Sequence, residues 1–178
     1  MLGAASELFY REGIRAVGVD AVSERAGVSK RTLYNRFGGK DGLVAEYLRR
    51  RDEAWRAYLR EAIEDEADPE ERLLVVFRAY GEWLVRGDFR GCAFANAVTE
   101  LPDPDHPARA VARRHKEGVE EHLAALAEDA GFDEPGALAE RLLILLEGAT
   151  ATAAMRRSAE PLGAARSVAQ ELLDARSR

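Results

Sequence analysis

At 178 residues, with 47% hydrophobic and 33% charged residues, the chain can bury a sizeable core and has the make-up of a helix-rich globular protein. Its run of bulky apolar residues, Leu142 to Leu146, is far too short to span a bilayer, and the start MLGAASELFYRE, with Glu7 and no leading cationic cluster, does not read as a signal peptide. The net charge of −6 taken alone speaks against nucleic acid, and the single cysteine, Cys92, offers no internal disulfide and no sign of export, so the expected compartment is the cytoplasm.

Apolar spacings of three and four recur along the chain and no β-alternation persists, so the expected fold is all-α with about nine helices. The first helix, about Leu2 to Arg11, puts Leu2, Ala5, Leu8 and Phe9 on one face and stops at Gly13. A short second helix, about Val19 to Ala26, turns Val19, Val22 and Ala26 inward and ends at Gly27. Ser29 is a good N-cap for a third helix over Lys30 to Phe37, with Leu33 and Phe37 pointing into a small core. Gly38-Gly39 breaks that helix, and a longer one runs from Lys40 or Asp41 to about Glu64.

Pro69 stands at the N1 position of a helix to about Arg86, ended by Gly87. Residues 91–101 form a short helical segment, and Pro102, Pro104 and Pro107 make the next stretch a loop. Helices follow over about Ala108 to Ala130, Pro135 to Ser158 and Pro161 to Ala175, with Gly131 and Pro161 as the clearest boundaries.

Charge is unevenly spread along these elements. Residues 1–51 hold ten Lys/Arg against six Asp/Glu, a net +4, while residues 52–178 hold sixteen against twenty-six, a net −10. Such asymmetry points to a basic contact surface carried by an acidic body. The basic part contains a helix pair joined by a tight Gly turn, the arrangement that fits a helix into the major groove of DNA. Small or polar side chains at the start of its second helix allow close approach to base edges and phosphates. Ser29, Lys30, Arg31, Thr32, Tyr34, Asn35 and Arg36 supply donors for both, and Lys40 opens the following helix within reach of the backbone. Tyr34 could instead pack on the small core, and Arg31 and Arg36 could be plain solvated surface.

Ala5 to Phe9 with Gly13, VSERAGV over Val22 to Val28, SKRTLYNRF over Ser29 to Phe37 and KDGL over Lys40 to Leu43 together resemble the tetracycline-repressor (TetR) family of bacterial transcription regulators. The resemblance covers about the first 50 residues, with turn, apolar and basic positions agreeing in register. It implies a helix-turn-helix formed by Val19 to Ala26 and Lys30 to Phe37, in a DNA-binding domain over residues 1–47. It further implies two protomers bound to a palindromic double-stranded operator. By position, Thr32, Tyr34, Asn35 and Lys40 are the expected DNA contacts, with Ser29 as cap and Lys30, Arg31 and Arg36 beside them. Family members usually carry a basic extension before the first helix, whereas this chain starts almost inside it. Ser29 to Lys40 are therefore expected to carry more of the affinity.

Residues 48–178 then form an effector-binding and dimerisation domain. Leu138, Leu142, Leu145, Leu146 and Ala149, with Leu162, Ala165, Val168, Ala169, Leu172 and Leu173, mark apolar faces on the last two helices. Two copies could build an intermolecular four-helix bundle from them, or the faces could be internal core alone. The family's middle helices enclose a small-molecule effector, and the candidate lining residues here are Trp55, Tyr58, Phe77, Tyr80, Trp83, Phe94, Asn96 and Met155. The implied function is a dimeric repressor released from its operator by that effector.

Asp103, Asp105 and His106 read as a solvated loop, and His115 and His122 as surface histidines, because no close ligand spacing accompanies them. No phosphate-binding Gly loop or nucleophile elbow appears. We expect no metal, no cofactor, no membrane segment and no enzymatic activity.

Overall fold

The structure is a computed structural model and describes residues 1–86 and 89–175. Among these residues there are nine helices and no strand: α1 (Leu2–Glu12), α2 (Val19–Ala26), α3 (Lys30–Phe37), α4 (Lys40–Glu64), α5 (Pro69–Arg86), α6 (Ala93–Glu100), α7 (Pro107–Asp129), α8 (Pro135–Arg156) and α9 (Glu160–Asp174). The described helix ends fall within two residues of the expected ones, because the chain is punctuated at its ends. Pro69 and Pro135 open α5 and α8, where a missing N–H costs nothing. Gly131 (φ 74°) ends α7 in a left-handed turn, its N–H donating to Glu128 O at 2.8 Å. The Gly87 stop lies outside the described residues. No helix among the described residues is long and apolar enough to cross a membrane.

The chain divides into two compact units, Met1–Ala54 with Ala93–His115, and Trp55–Cys92 with Lys116–Arg178. The division falls inside α4 and inside α7. In the first unit Ala5 and Phe9 of α1, Val22 of α2, Leu33 of α3 and Leu43, Val44, Tyr47 and Leu48 of α4 are buried around one small core. The Phe9 and Tyr47 rings meet at 5.8 Å. Glu100, at the end of α6, accepts the Arg15 N–H at 3.0 Å and so fixes the turn between α1 and α2. Arg109 donates to the Val98 and Leu101 carbonyls at 2.8 and 2.7 Å and closes the α6 C-terminus, whose carbonyls would otherwise lack donors.

All three histidines correct the sequence reading: His122 is half-buried with its Nε2 closed off from solvent, and the other two are buried. His115 is buried, not on the surface: its ring stacks on Phe94 with centroids 3.6 Å apart, and Nδ1 lies 2.6 Å from Asp52 Oδ1. His106 is buried as well, inside the loop taken as solvated. The Ala108 N–H donates to its Nδ1 at 3.1 Å, which leaves the proton on Nε2, 3.3 Å from Asp41 Oδ1. A buried imidazole needs partners for both nitrogens, and both histidines find a carboxylate on α4.

The second unit is a larger apolar core. Trp55, Leu59 and Ile63 of α4, Leu73, Phe77 and Leu84 of α5, and Val119, Leu123 and Leu126 of α7 pack with Leu138, Leu142 and Leu146 of α8 and Leu162, Ala169 and Leu173 of α9. α9 lies against both α5 and α8. α9 packs against α5 beside Gly81, where a Cβ would stand in ordinary contact with Leu162 Cβ at 3.6 Å. Of the residues expected to form intermolecular faces, Leu138, Leu142, Leu146, Ala149, Leu162, Ala165, Ala169 and Leu173 are instead buried within this unit. Leu145 and Leu172 are half-buried, and Val168 is exposed.

Candidate nucleic-acid interface

The recognition pair is built mainly by its helix ends. Gly27 adopts the left-handed conformation (φ 63°, ψ 34°) that ends α2, and the Val28 N–H returns to Ser23 O at 3.0 Å. That conformation is open to Gly without the penalty a Cβ brings. Ser29 follows in extended backbone, and its Oγ accepts the Thr32 N–H at 3.1 Å. The Thr32 hydroxyl meets the same Oγ at 2.9 Å. Gly38 (φ 73°) ends α3, donating to Tyr34 O at 2.8 Å. Between those caps Leu33 is the one fully buried residue of α3.

Every other α3 candidate is displayed outward. Lys30, Arg31, Thr32, Tyr34, Asn35 and Arg36 are exposed, as is Ser29, and Lys40 is half-buried at the first turn of α4. Tyr34 stands 51% exposed, so its ring is not spent on the core. Lys30 Nζ pairs with Asp20 Oδ1 at 2.6 Å, both well exposed; such a pair is weak and can be exchanged for a phosphate. The Arg36 guanidinium sits 5.4 Å above the Phe37 ring. The N-terminus of α3 carries no acidic residue in its first turn, so its positive dipole end is left for an anion. Arg25 is held away from this face by both oxygens of Glu7 at 2.9 Å.

The proposed effector residues divide among several places. Trp55, Tyr58, Tyr80 and Trp83 come together in the second unit, with Trp55 edge-on to Tyr80 at 4.3 Å and Trp83 5.3 Å from Tyr58. Tyr58 donates to Glu82 and lies 4.3 Å below Arg86. Partial burial, aided by Glu82, pushes its phenol above the ordinary tyrosine value. Phe77 is fully buried in the same unit, whereas Met155 is 79% exposed on α8. Phe94 and Asn96 belong to the first unit, where Phe94 is spent on the His115 stack.

Sequence reasoning missed the groups that brace the first unit from a distance: Glu100 at Arg15, and the pairs Asp41–His106 and Asp52–His115. It also missed the Lys116–Glu147 pair joining α7 to α8. Burial works to lower Lys116, but the opposing pull of Tyr80, Cys92 and Glu147 outweighs it and holds the ammonium above the ordinary lysine value. None of these pairings has a local sequence signature.

Residues 1–47 match the family described as bacterial regulatory proteins, tetR family, and residues 69–168 match the C-terminal domain of LmrA/YxaF-like transcriptional regulators. The HTH-type transcriptional regulator YjdC of Escherichia coli is 26% identical over 97% of this chain and 91% of its own length. Among solved structures, SCO4454, a TetR-family transcriptional regulator from Streptomyces coelicolor, superposes with a TM-score of 0.90 at 32% identity. That match covers 99% of this chain and 88% of the other. The regulator sav143 of Streptomyces avermitilis gives 0.80 at 34% identity, with 95% of each chain covered. With domain matches over both parts of the chain and a displayed, capped recognition helix, the chain belongs to the TetR family of DNA-binding transcriptional regulators.

Proposed function

We propose that the protein is a dimeric repressor, bound to a palindromic operator through residues 1–47 of each protomer and released by a small molecule held in residues 48–178. The observation that carries the DNA reading is the face of α3: six exposed polar residues around one buried Leu33, with Ser29 before them spent as the cap. Thr32, Tyr34 and Asn35 face base edges in this reading, and Lys30, Arg31, Arg36 and Lys40 take phosphates.

What supports dimerisation is a second stripe on α8. Ile144, Gly148, Ala151 and Met155 recur at spacings of four, three and four and are all exposed, Ile144 at 66%. Val168 adds to it from α9 at 45% exposure. An apolar helical stripe with small residues between large ones fits a second copy of itself about a two-fold axis. A palindromic operator then matches the symmetry of the dimer.

The test is selection of genomic fragments by the purified protein, followed by footprinting. A two-fold-symmetric footprint is expected, with Tyr34→Ala losing discrimination between sites and Lys40→Ala weakening all sites alike while lowering the salt slope by about one. Binding that ignores sequence and is unchanged in both variants overturns the reading.

A further inference from the structure

A cleft of about 620 Å³ opens in the second unit, walled by Arg60, Glu61, Ile63 and Glu64 of α4, Arg72 of α5 and His122 of α7. It includes none of the aromatic residues singled out from the sequence. His122 Nε2 is shut off from solvent and has no hydrogen-bond partner among the described residues. A buried polar nitrogen left in that state carries its desolvation cost uncompensated, and an oxygen in the cleft, met by a small turn of the ring toward it, would relieve it. Arg60 makes no ion pair among the described residues.

The cationic surroundings of His122 follow from two helix faces. Arg56 and Arg60 stand one turn apart on α4, and Gly118 and His122 one turn apart on α7. The Arg56 guanidinium lies so close over Gly118 that a Cβ there would fall 2.2 Å from its Nη2. Arg56 and Arg60 both stand near enough to His122 for their charges to act on its ring. Burial first, then Arg56 and Arg60, hold its pKa below the ordinary histidine value, so the ring is neutral at neutral pH. The causes of that shift are burial and the two arginines; Glu61 and Glu64, also on the cleft, are exposed to solvent.

We propose that this cleft binds a small ligand carrying one oxyanion, a carboxylate or a phosphate ester, on a short apolar body, with the Arg60 guanidinium and His122 Nε2–H donating to its oxygens. Arg72 is already braced, its Nε donating to Glu66 O at 2.7 Å, and adds charge from the α5 wall. Guanidinium is the cation whose planar fork matches such oxygens. Ile63 meets the apolar body. Glu61 and Glu64, which line the same cleft, repel multiply charged anions, so a monocarboxylate is favoured over a phosphate dianion. That the ligand alters operator binding rests on the effector reading above; that it binds does not.

The chain has three histidines, so labelled histidine reports the site directly, with His122→Gln giving the assignment. The full chain is titrated at pH 7 with hexanoate and, separately, with inorganic phosphate. Hexanoate is expected to shift the His122 signal saturably with a Kd below about 1 mM, to raise the pH at which that ring titrates, and to bind more tightly than phosphate. Arg60→Gln weakens the hexanoate Kd at least tenfold with the circular dichroism unchanged. Arg166→Gln, whose arginine pairs with Glu71 at 2.9 Å, leaves it alone. A shift that grows linearly without saturating, or an equal Kd in Arg60→Gln, overturns the site. Saturable phosphate binding without hexanoate binding overturns the preference for a carboxylate on an apolar body. Tight hexanoate binding with operator affinity unchanged keeps the site and removes its role as an effector site.

Discussion

α2 and α3 bury Val22, Ser23 and Leu33 and nothing else, whereas α8 and α9 bury twelve residues. The first pair has eight residues in each helix and takes its order from Gly27, the Ser29 cap and Gly38; the second has twenty-two and fifteen and takes its order from apolar area. A helix that reaches into a groove cannot cover its outer face with its own protein, so little area is left to fix it. The chemistry of each exposed face then says what it meets. On α3 that face is Lys, Arg, Thr, Tyr and Asn, suited to phosphate and base edges; on α8 it is Ile144, Gly148, Ala151 and Met155, suited to another apolar helix.

The largest expected effect is Leu33→Ala. It removes the one buried anchor of α3 and should cost about 2–5 kcal/mol in the cooperative unfolding of the first unit, read by urea denaturation, and should abolish operator binding. Gel filtration of the same variant should still report the oligomer of the parent chain. If Leu142→Ala, one of seven buried residues on α8, harms operator binding equally, the contrast between the pairs is wrong. Next comes Ile144→Asp combined with Met155→Asp. Four like charges brought to a two-fold interface should weaken dimerisation at least a hundredfold, about 2.7 kcal/mol, by analytical ultracentrifugation, with unfolding of the protomer little changed because both side chains are exposed. A variant that stays dimeric moves the interface off this stripe.

Gly13→Ala should cost about 1–3 kcal/mol. Gly13 sits at φ 97°, ψ 150°, where only glycine is at ease, and a Cβ would come 3.1 Å from Glu100 Oε2. In a Glu100→Ala background the crowding part should vanish and the backbone part remain, a cycle measured by thermal unfolding. Gly13 also marks the limit of what can be read from sequence. That it stops α1 is legible, because a Gly after the last periodic apolar residue is a local signal. That it lies under Glu100 is not, since the partner is 87 positions away. The same distinction separates Ser29, whose cap to Thr32 is written within four residues, from His115, which reads as a surface residue until Asp52 and Phe94 surround it. On α8 both stripes are apolar, so periodicity alone cannot say which is internal. Met155 looked like a pocket residue for the same reason, and packing leaves it on the outside.

The smallest effect separates cap from contact at Ser29. Ser29→Ala removes the acceptor of the Thr32 N–H and should cost about 1 kcal/mol in the first unit. Operator affinity should fall with it, since an unfastened first turn presents Thr32 and Tyr34 poorly. Ser29→Asp keeps an acceptor at the same place and sets a negative charge on the positive end of α3, so stability should match or exceed the parent by a few tenths of a kcal/mol. That same carboxylate would stand where a DNA phosphate is expected to rest against the α3 N-terminus, and operator affinity should drop despite the intact cap. Stability from thermal unfolding and affinity from fluorescence anisotropy should therefore move together in Ser29→Ala and apart in Ser29→Asp. If Ser29→Asp binds the operator as well as the parent does, the N-terminus of α3 does not face a phosphate, and base contacts by Tyr34 and Asn35 would have to be made from a different docking angle.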